Sequence, residues 1–186
     1  AGKQIHLSHL KTATIHGDVA AVSDIFVTAN QLTLIAVLLS FIIGIALWNS
    51  NNWPFGFIIV PIGLFIRMCL NALDGMMARI YNMQSKLGEV LNEIGDVLSD
   101  LFIYIPLIKI DGIYPSLIAL FTGLSVINEF SGYIGKVVGN KRRYEGPMGK
   151  SDRAFIIGLI CIIYYFFKIQ PYFINGIILL CSFLII

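Results

Sequence analysis

The chain has 186 residues, of which 57% are hydrophobic and 13% are charged, and its net charge is +2. A soluble domain usually carries about 25% charged residues, so the composition excludes an ordinary water-soluble fold and indicates an integral membrane protein. The small net charge, without zinc-type cysteine spacing or an aromatic RNA-binding motif, argues against nucleic acid as a partner.

Six apolar segments follow one another along the chain, each close to the length of about 20 residues that a helix needs to cross a bilayer. They lie near 31–48, 55–80, 87–109, 113–138, 152–168 and 171–186. The scattered apolar positions of residues 5–28 predict an amphipathic helix on the membrane surface. The predicted organisation is an N-terminal cytoplasmic or juxtamembrane segment, 1–28, followed by an all-α membrane domain of six transmembrane helices, 29–186.

Lysine and arginine are distributed unevenly between the predicted connectors. One basic connector carries Arg79 and Lys86, and a second basic region extends from 136 to 153, whereas the 49–54 connector has no charged residue. Basic connectors of membrane proteins stay in the cytoplasm. The sequence therefore predicts a multi-pass protein of the cell membrane, with both termini and the two basic connectors on the cytoplasmic side.

Polar and small residues form a stripe on each of the second and third predicted helices, at steps of three or four residues. On the second helix the stripe consists of Arg67, Asn71, Asp74 and Ala78. On the third helix it consists of Gly88, Asn92, Asp96 and Asp100. Because the connector between the helices is short, we expect them to be antiparallel neighbours whose stripes face each other. Charged groups inside spanning helices are costly and usually face a bundle interior or a cavity.

Facing carboxylate and amide oxygens suit a hard divalent cation such as Mg²⁺ or Ca²⁺, whose shell a phosphate can complete. Arg79, at the cytoplasmic end of the second helix, is placed to bind that phosphate. We interpret the stripes as a site for phosphoryl-type transfer, in which a carboxylate takes a proton from an attacking hydroxyl. The alternative is a set of satisfied polar contacts in a transporter or a structural bundle.

The same stretch carries a motif with fixed spacing. The sequence "NALDGMMAR" at 71–79, then eight residues, then Gly88, Asn92 and Asp96 resembles the signature of CDP-alcohol phosphotransferases, D-x-x-D-G-x-x-A-R, eight residues, G-x-x-x-D-x-x-x-D. The sequence "ANQLT" at 29–33 resembles the family's P-N-x-(hydrophobic)-T at the start of the first helix, with Ala29 in place of proline. The resemblance covers most of the chain.

The resemblance implies that the chain moves a substituted phosphate from a CDP-linked donor to an alcohol and releases CMP. It implies a divalent metal, Mg²⁺ or Mn²⁺, which Ca²⁺ can replace in binding, and Asp96 as the general base. The implied metal ligands are Asn71, Asp74, Asn92 and Asp96. The implied nucleotide contacts are Asn30, Thr33, Gly75, Ala78 and Arg79, with Gly88 allowing close approach.

Two positions depart from the signature, because Asn71 and Asn92 stand where it has its first and third aspartates. An amide oxygen can ligate a metal but brings no negative charge. Three explanations stay open: a site with one metal, a different ligand set, or a loss of catalysis. Carboxylates that could compensate are Glu89, Glu93 and Asp100.

Polar groups elsewhere extend the candidate site. Lys150 and Arg153, at the start of the fifth helix with Ser151 as its N-cap, could hold a phosphate or carboxylate of the acceptor. Glu129, inside the fourth predicted span, is either functional or a buried partner of Arg67. Asp100 is one turn deeper than Asp96 and matches Arg67 in depth, so we interpret it as a structural carboxylate.

The predicted donor is CDP-diacylglycerol, which can reach the site from the surrounding membrane lipid, and the predicted acceptor is a small polar alcohol. The product would serve phospholipid synthesis. Alternatives are a soluble CDP-alcohol donor with a lipid acceptor, and a catalytically silent homologue that binds lipid or nucleotide. A small transporter is disfavoured because the sequence has no internal repeat. A homodimer is left open.

Overall fold

The computed structural model describes residues 28–81, 84–139 and 147–185. These residues form six α-helices and one 3₁₀-helix, and no β-strand. The α-helices are α1 (Ala29–Trp48), α2 (Gly56–Ile80), α3 (Lys86–Tyr104), α4 (Pro115–Gly139), α5 (Lys150–Phe167) and α6 (Pro171–Ile185). The 3₁₀-helix, Ile105–Lys109, continues α3. The predicted amphipathic helix at 5–28 and the basic residues at 140–146 lie outside the described residues.

Each of the six predicted segments coincides with one helix, and local chemistry explains where the ends differ. Helix α1 begins two residues earlier than predicted because Thr28 and Gln31 form a capping box: Gln31 N donates to Thr28 Oγ1 at 3.3 Å, and Thr28 N donates to Gln31 Oε1 at 2.7 Å. The α-helical part of α3 ends at Tyr104, since Pro106 has no N–H to continue the hydrogen-bond pattern.

Helix α5 begins at Lys150, with Gly149 as its N-cap. The Gly149 N–H donates to Asp152 Oδ2 at 2.9 Å, so the third helical residue satisfies the cap. Ser151 is already the second residue of the helix, and the prediction that it forms the N-cap is wrong. The earlier start includes Lys150 in the first turn of α5, which determines where its side chain can reach.

Helices α1, α2 and α4 are each long and apolar enough to cross a membrane, while α6 is apolar but has only 15 residues. Helix α3 carries five charged residues, and the shorter α5 carries three. Large apolar side chains cover much of the outer surface of the bundle, and Phe65, Phe155 and Phe183 are each 68% exposed. Such a surface is typical of helices that face lipid. The count of six spans and the orientation of the termini stay predictions.

The helices pack as α1 with α2 and α3, α2 with α5, α3 with α4, and α4 with α6. An apolar core fills the half of the bundle that is far from the α2–α3 connector, where Leu47, Val60 and Tyr104 are fully buried. The other half contains the C-terminal end of α2 and the N-terminal ends of α1, α3 and α5. These four ends bring the polar stripes together.

Gly44 sets the distance between α1 and α3. A Cβ atom at Gly44 would lie far inside van der Waals contact of the Phe102 carbonyl oxygen. Small residues of this kind let the backbones of packed membrane helices approach closely. The first and third helices therefore depend on this glycine for their separation.

Gly44→Ala should lower the stability of the fold by about 1–3 kcal/mol, because the methyl group must push α1 away from α3. This loss should exceed the gain of about 1 kcal/mol that alanine brings to a helix interior. The control is Gly123→Ala in α4, where nothing lies within 4 Å of the added Cβ. Thermal unfolding in detergent compares them, and a Gly44→Ala melting temperature at or above that of the unmutated chain would contradict the packing.

Candidate active site

A cavity of about 660 Å³ opens where α1, α2 and α3 meet near the α2–α3 connector. It is lined by every residue that the sequence predicted to contact the metal, the nucleotide or the acceptor, except Arg153. These residues are Asn30, Thr33, Asn71, Asp74, Gly75, Ala78, Arg79, Gly88, Asn92, Asp96 and Lys150. The remaining lining residues are Ala29, Gln84, Ser85, Lys86, Glu89 and Glu93. The structure therefore brings residues from four separate helices into one space.

The polar stripes of α2 and α3 face each other across this cavity, as the short connector predicted. Asn71 Nδ2 donates to Asp96 Oδ1 at 3.3 Å. One residue of the motif's first half thus contacts the last residue of its second half. The hairpin of α2 and α3 aligns the two halves at the same depth.

Asp74 lies on the α1 side of the cavity and is buried. Thr33 Oγ1 lies 2.8 Å from Asp74 Oδ2, to which it can donate, and 3.2 Å from the Ala29 carbonyl oxygen. Thr33 therefore orients the carboxylate, a role that the sequence motif did not indicate. Asp96 and Lys150 line the same cavity as Asp74.

Asp96 lies on the α5 side of the cavity and is also buried. Lys150 Nζ forms an ion pair with Asp96 Oδ1, and Arg67 Nη2 donates to the backbone carbonyl of Asp96 at 3.3 Å. Within the described part of the chain, the side-chain hydrogen bonds of Asp96 are made through Oδ1. Lys150, predicted as an acceptor ligand, is therefore also a direct partner of the predicted base.

Gly88 permits a close contact between α3 and the start of α1. A Cβ atom at Gly88 would lie 2.6 Å from Asn30 Oδ1. The hydroxyl of Ser85, the N-cap of α3, accepts from the Gly88 N–H at 2.9 Å. The sequence prediction omitted Ser85, although a serine directly before a helical pattern is an N-cap signal. It also omitted Gln84 and Lys86, which line the cavity on either side of Ser85.

Four buried charged residues lie behind the cavity and join α2, α3, α4 and α5. Arg67 Nη1 donates to Asp100 Oδ1 at 2.9 Å, as their matching depth predicted. Arg153 Nη2 lies 3.2 Å from Asp100 Oδ2 and 2.5 Å from Glu129 Oε1. Glu129 is therefore a partner of Arg153, whereas one of the two predicted alternatives paired it with Arg67. Arg153 does not line the cavity, and its guanidinium holds carboxylates of α3 and α4.

The oxygen atoms in the cavity fit a divalent cation in their chemistry, because the two carboxylates and two amides of the predicted ligand set line one space. Among the described residues, no three His, Cys, Asp or Glu side chains form a group that could hold a metal. Thr33 contacts one of the two motif carboxylates and Lys150 contacts the other.

A second cavity of about 330 Å³ lies between α2 and α5 and shares Asn71 and Lys150 with the first. Its apolar lining residues are Leu64, Met68, Ala72 and Ala154. Arg67 and Ser151 complete the lining. The polar cavity thus continues into a mostly apolar one beside the same lysine.

Comparison with known proteins agrees with the motif. The model of the CDP-alcohol phosphatidyltransferase family matches residues 26–186. The chain is also 47% identical over 133 residues to "Inner membrane protein YnbA" of Escherichia coli (strain K12), in an alignment that covers 72% of this chain and 66% of that protein. The chain therefore spans slightly less than two thirds of that relative's length.

Proposed function

Because this chain belongs to the CDP-alcohol phosphatidyltransferase family, we propose that it transfers a substituted phosphate from a CDP-linked donor to an alcohol and releases CMP. One observation carries the proposal: the motif residues Asp74, Gly75, Arg79 and Asp96 line a single cavity. Asn30, Thr33 and Ala78 line the same cavity and would contact the nucleotide. Arg79, which is exposed at the cavity mouth, would bind a phosphate of the donor.

The proposed reaction is a displacement at phosphorus. The oxygen of the acceptor alcohol forms a bond to the donor phosphorus that is distal to the cytidine, and the bond from that phosphorus to the CMP oxygen breaks. The hydroxyl proton passes to Asp96, which must come within hydrogen-bond reach of it, directly or through one water. Because Oδ1 of Asp96 already accepts from Asn71 and Lys150, we assign the proton transfer to Oδ2.

The proposed metal ligands are Asp74 and the amide oxygens of Asn71 and Asn92, with Asp96 nearby. A divalent cation, Mg²⁺ or Mn²⁺, would supply positive charge that stabilises the phosphates of the donor when it is bound there. Thr33 fixes the orientation of Asp74 for this purpose. The carboxylate that binds the cation and the carboxylate that accepts the proton thus lie on opposite sides of the cavity.

We propose CDP-diacylglycerol as the donor and a small polar alcohol as the acceptor, in phospholipid synthesis. The apolar cavity between α2 and α5 supports a lipid donor, because it adjoins the polar cavity at Asn71 and Lys150. The apolar outer surface of the bundle supports direct access from the bilayer. Lys150 would also be available to a charged group on the acceptor.

We propose that the six helices all span the membrane and that the polar cavity opens to the cytoplasm. The basic residues support this orientation, since Arg79 and Lys86 lie beside the cavity mouth and the uncharged connector 49–54 lies at the opposite end of the first two helices. The name of the E. coli relative places that protein in the inner membrane. The same membrane is proposed for this chain.

The test is reconstitution of the chain in liposomes with CDP-diacylglycerol, Mg²⁺ or Mn²⁺, and a panel of small alcohols, while CMP release is followed. We expect CMP release that depends on one class of alcohol and stops when EDTA removes the metal. Liposomes with a soluble CDP-alcohol and diacylglycerol test the alternative donor. In a parallel titration, CDP should bind more tightly with metal than with EDTA, and more tightly than ADP under both conditions.

A catalytically silent, ligand-binding homologue is the second candidate. Asn71 and Asn92 favour it, because they remove two of the four aspartates of the family signature. Specific binding of CDP-diacylglycerol without CMP release for any alcohol would support this candidate. Equal and weak binding of CDP and ADP, with no effect of EDTA, would contradict both candidates.

A further inference from the structure

The ion pair between Lys150 and Asp96 places a positively charged group inside the proposed metal site. Lys150 is in the first turn of α5, and its ammonium group contacts Asp96 Oδ1 in the cavity. Its side chain is only 23% exposed, unlike a lysine on a solvated surface. The cavity therefore contains a cation that belongs to the chain itself.

Ion pairs on the side of α5 away from the cavity hold the backbone that carries this ammonium. One turn after Lys150, the fully buried Arg153 forms ion pairs with Asp100 of α3 and Glu129 of α4. Helix α5 also packs along α2. Because the first turn of α5 is held by α2, α3 and α4, Lys150 reaches the cavity from a defined backbone position.

The motif has fewer negative charges than the family signature, and this difference matches the added positive charge of Lys150 in direction. Asparagine replaces aspartate at positions 71 and 92, so two negative charges are missing relative to the family signature. Two negative charges would neutralise one divalent cation. Glu89 and Glu93 also line the cavity, but each already interacts with other groups of the protein. The motif has thus lost the charge that a second divalent ion would need.

We propose that the Lys150 ammonium takes the place of one divalent cation, so that the chain binds a single divalent ion beside Asp74. This inference rests on the proposed function, which assigns the cavity to a CDP-linked donor and its metal. Lys150 then neutralises Asp96 and presents a fixed positive charge to the donor phosphates. The arrangement keeps a positive charge on the α5 side of the cavity without a second bound ion.

The experiment counts bound Mn²⁺ by electron paramagnetic resonance of the full chain in detergent, without nucleotide. We expect one Mn²⁺ per chain. Lys150→Met should tighten its binding by about tenfold or more, because a repelling charge that lines the same cavity is removed. The triple variant Asn71→Asp, Asn92→Asp, Lys150→Met should bind two Mn²⁺ per chain. The double variant that retains Lys150 should bind its second ion at least about tenfold more weakly than the triple variant.

The matched control is Lys86→Met. Lys86 also lines the cavity, but it is exposed at the first residue of α3, so its removal should change Mn²⁺ affinity by less than about threefold, because solvent and salt screen its charge. Two Mn²⁺ bound to the unmutated chain would overturn the proposal. Equal effects of Lys150→Met and Lys86→Met would overturn it as well. If Lys150→Met does not fold, the ion count of the unmutated chain still decides.

Parallel measurement of CMP release separates this inference from the proposed function. One bound Mn²⁺ with no CMP release from any donor and alcohol contradicts the transferase activity but agrees with the charge substitution. CMP release together with two bound Mn²⁺ supports the transferase activity and contradicts the charge substitution. The metal count tests the charge substitution, and the CMP release tests the proposed function, so either one can be contradicted without the other.

Discussion

Asp96→Asn should reduce single-turnover CMP release by about 10²–10⁴-fold, because an amide cannot take the proton of the attacking hydroxyl. Asparagine retains an oxygen that can accept from Lys150 and Asn71, the two groups that hold the native carboxylate. The cavity should therefore keep its shape, and the affinity for the CDP-linked donor should stay close to its original value. Single-turnover release in liposomes and a donor titration measure the two effects separately.

Glu89→Gln is the matched control for this experiment. Glu89 lies two turns before Asp96 on α3 and lines the same cavity, so the change removes one carboxylate of the same helix face. We expect Glu89→Gln to retain most of the turnover. Asp100→Asn, corrected for the folded fraction, should retain most of it too. An active Asp96→Asn beside an inactive but folded Asp100→Asn would show that the proton acceptor is one turn deeper.

Asp100→Asn should lower the free energy of unfolding by about 3–5 kcal/mol, because it leaves buried charges without their counter-charge. Asp100 is 2% exposed, and it forms ion pairs with both Arg67 and Arg153. In a chain of this size a loss of this magnitude corresponds to a melting temperature lower by about 10 °C. Thermal unfolding in detergent measures it.

The control for the buried carboxylate is an exposed one. Asp111 lies in the connector between the 3₁₀-helix and α4 and is exposed, so Asp111→Asn should change stability by no more than about 0.5 kcal/mol. If both substitutions lowered the melting temperature equally, the Arg67–Asp100–Arg153 contacts would not stabilise the fold. The comparison holds the chemical change constant and varies only burial.

The parts of the site that lie on one hairpin were predictable from the sequence. Counting residues outward from the short α2–α3 connector placed Arg67 beside Asp100, and the structure confirms this contact at 2.9 Å. The same count placed Asp74 at the depth of Asp96, whereas the structure brings Asn71, about one turn deeper on α2, into contact with Asp96. Helical periodicity therefore predicted the face of each residue, and the count from the connector predicted its depth to within about one turn.

Contacts between helices that are distant in the chain were not predictable in this way. Glu129 pairs with Arg153, and Lys150 reaches Asp96 from α5. Periodicity gives the face of each helix but not which non-consecutive helix lies against it. The local start of α5 at Lys150, with Gly149 as cap, also shifted the first turn relative to the predicted boundary. Tertiary packing, rather than the motif, therefore determines the α5 side of the cavity.

The ion pairs around Asp100 have a consequence for how the chain enters a membrane during synthesis. Helices α1, α2 and α4 are long and apolar enough to cross a membrane, but α2 carries Arg67 and α4 carries Glu129 near its centre, where a charge without a partner is costly. Asp100 of α3 finds one counter-charge on α2, which is made earlier, and another on α5, which is made later. The set of ion pairs around Asp100 can therefore be completed only after translation has delivered Arg153.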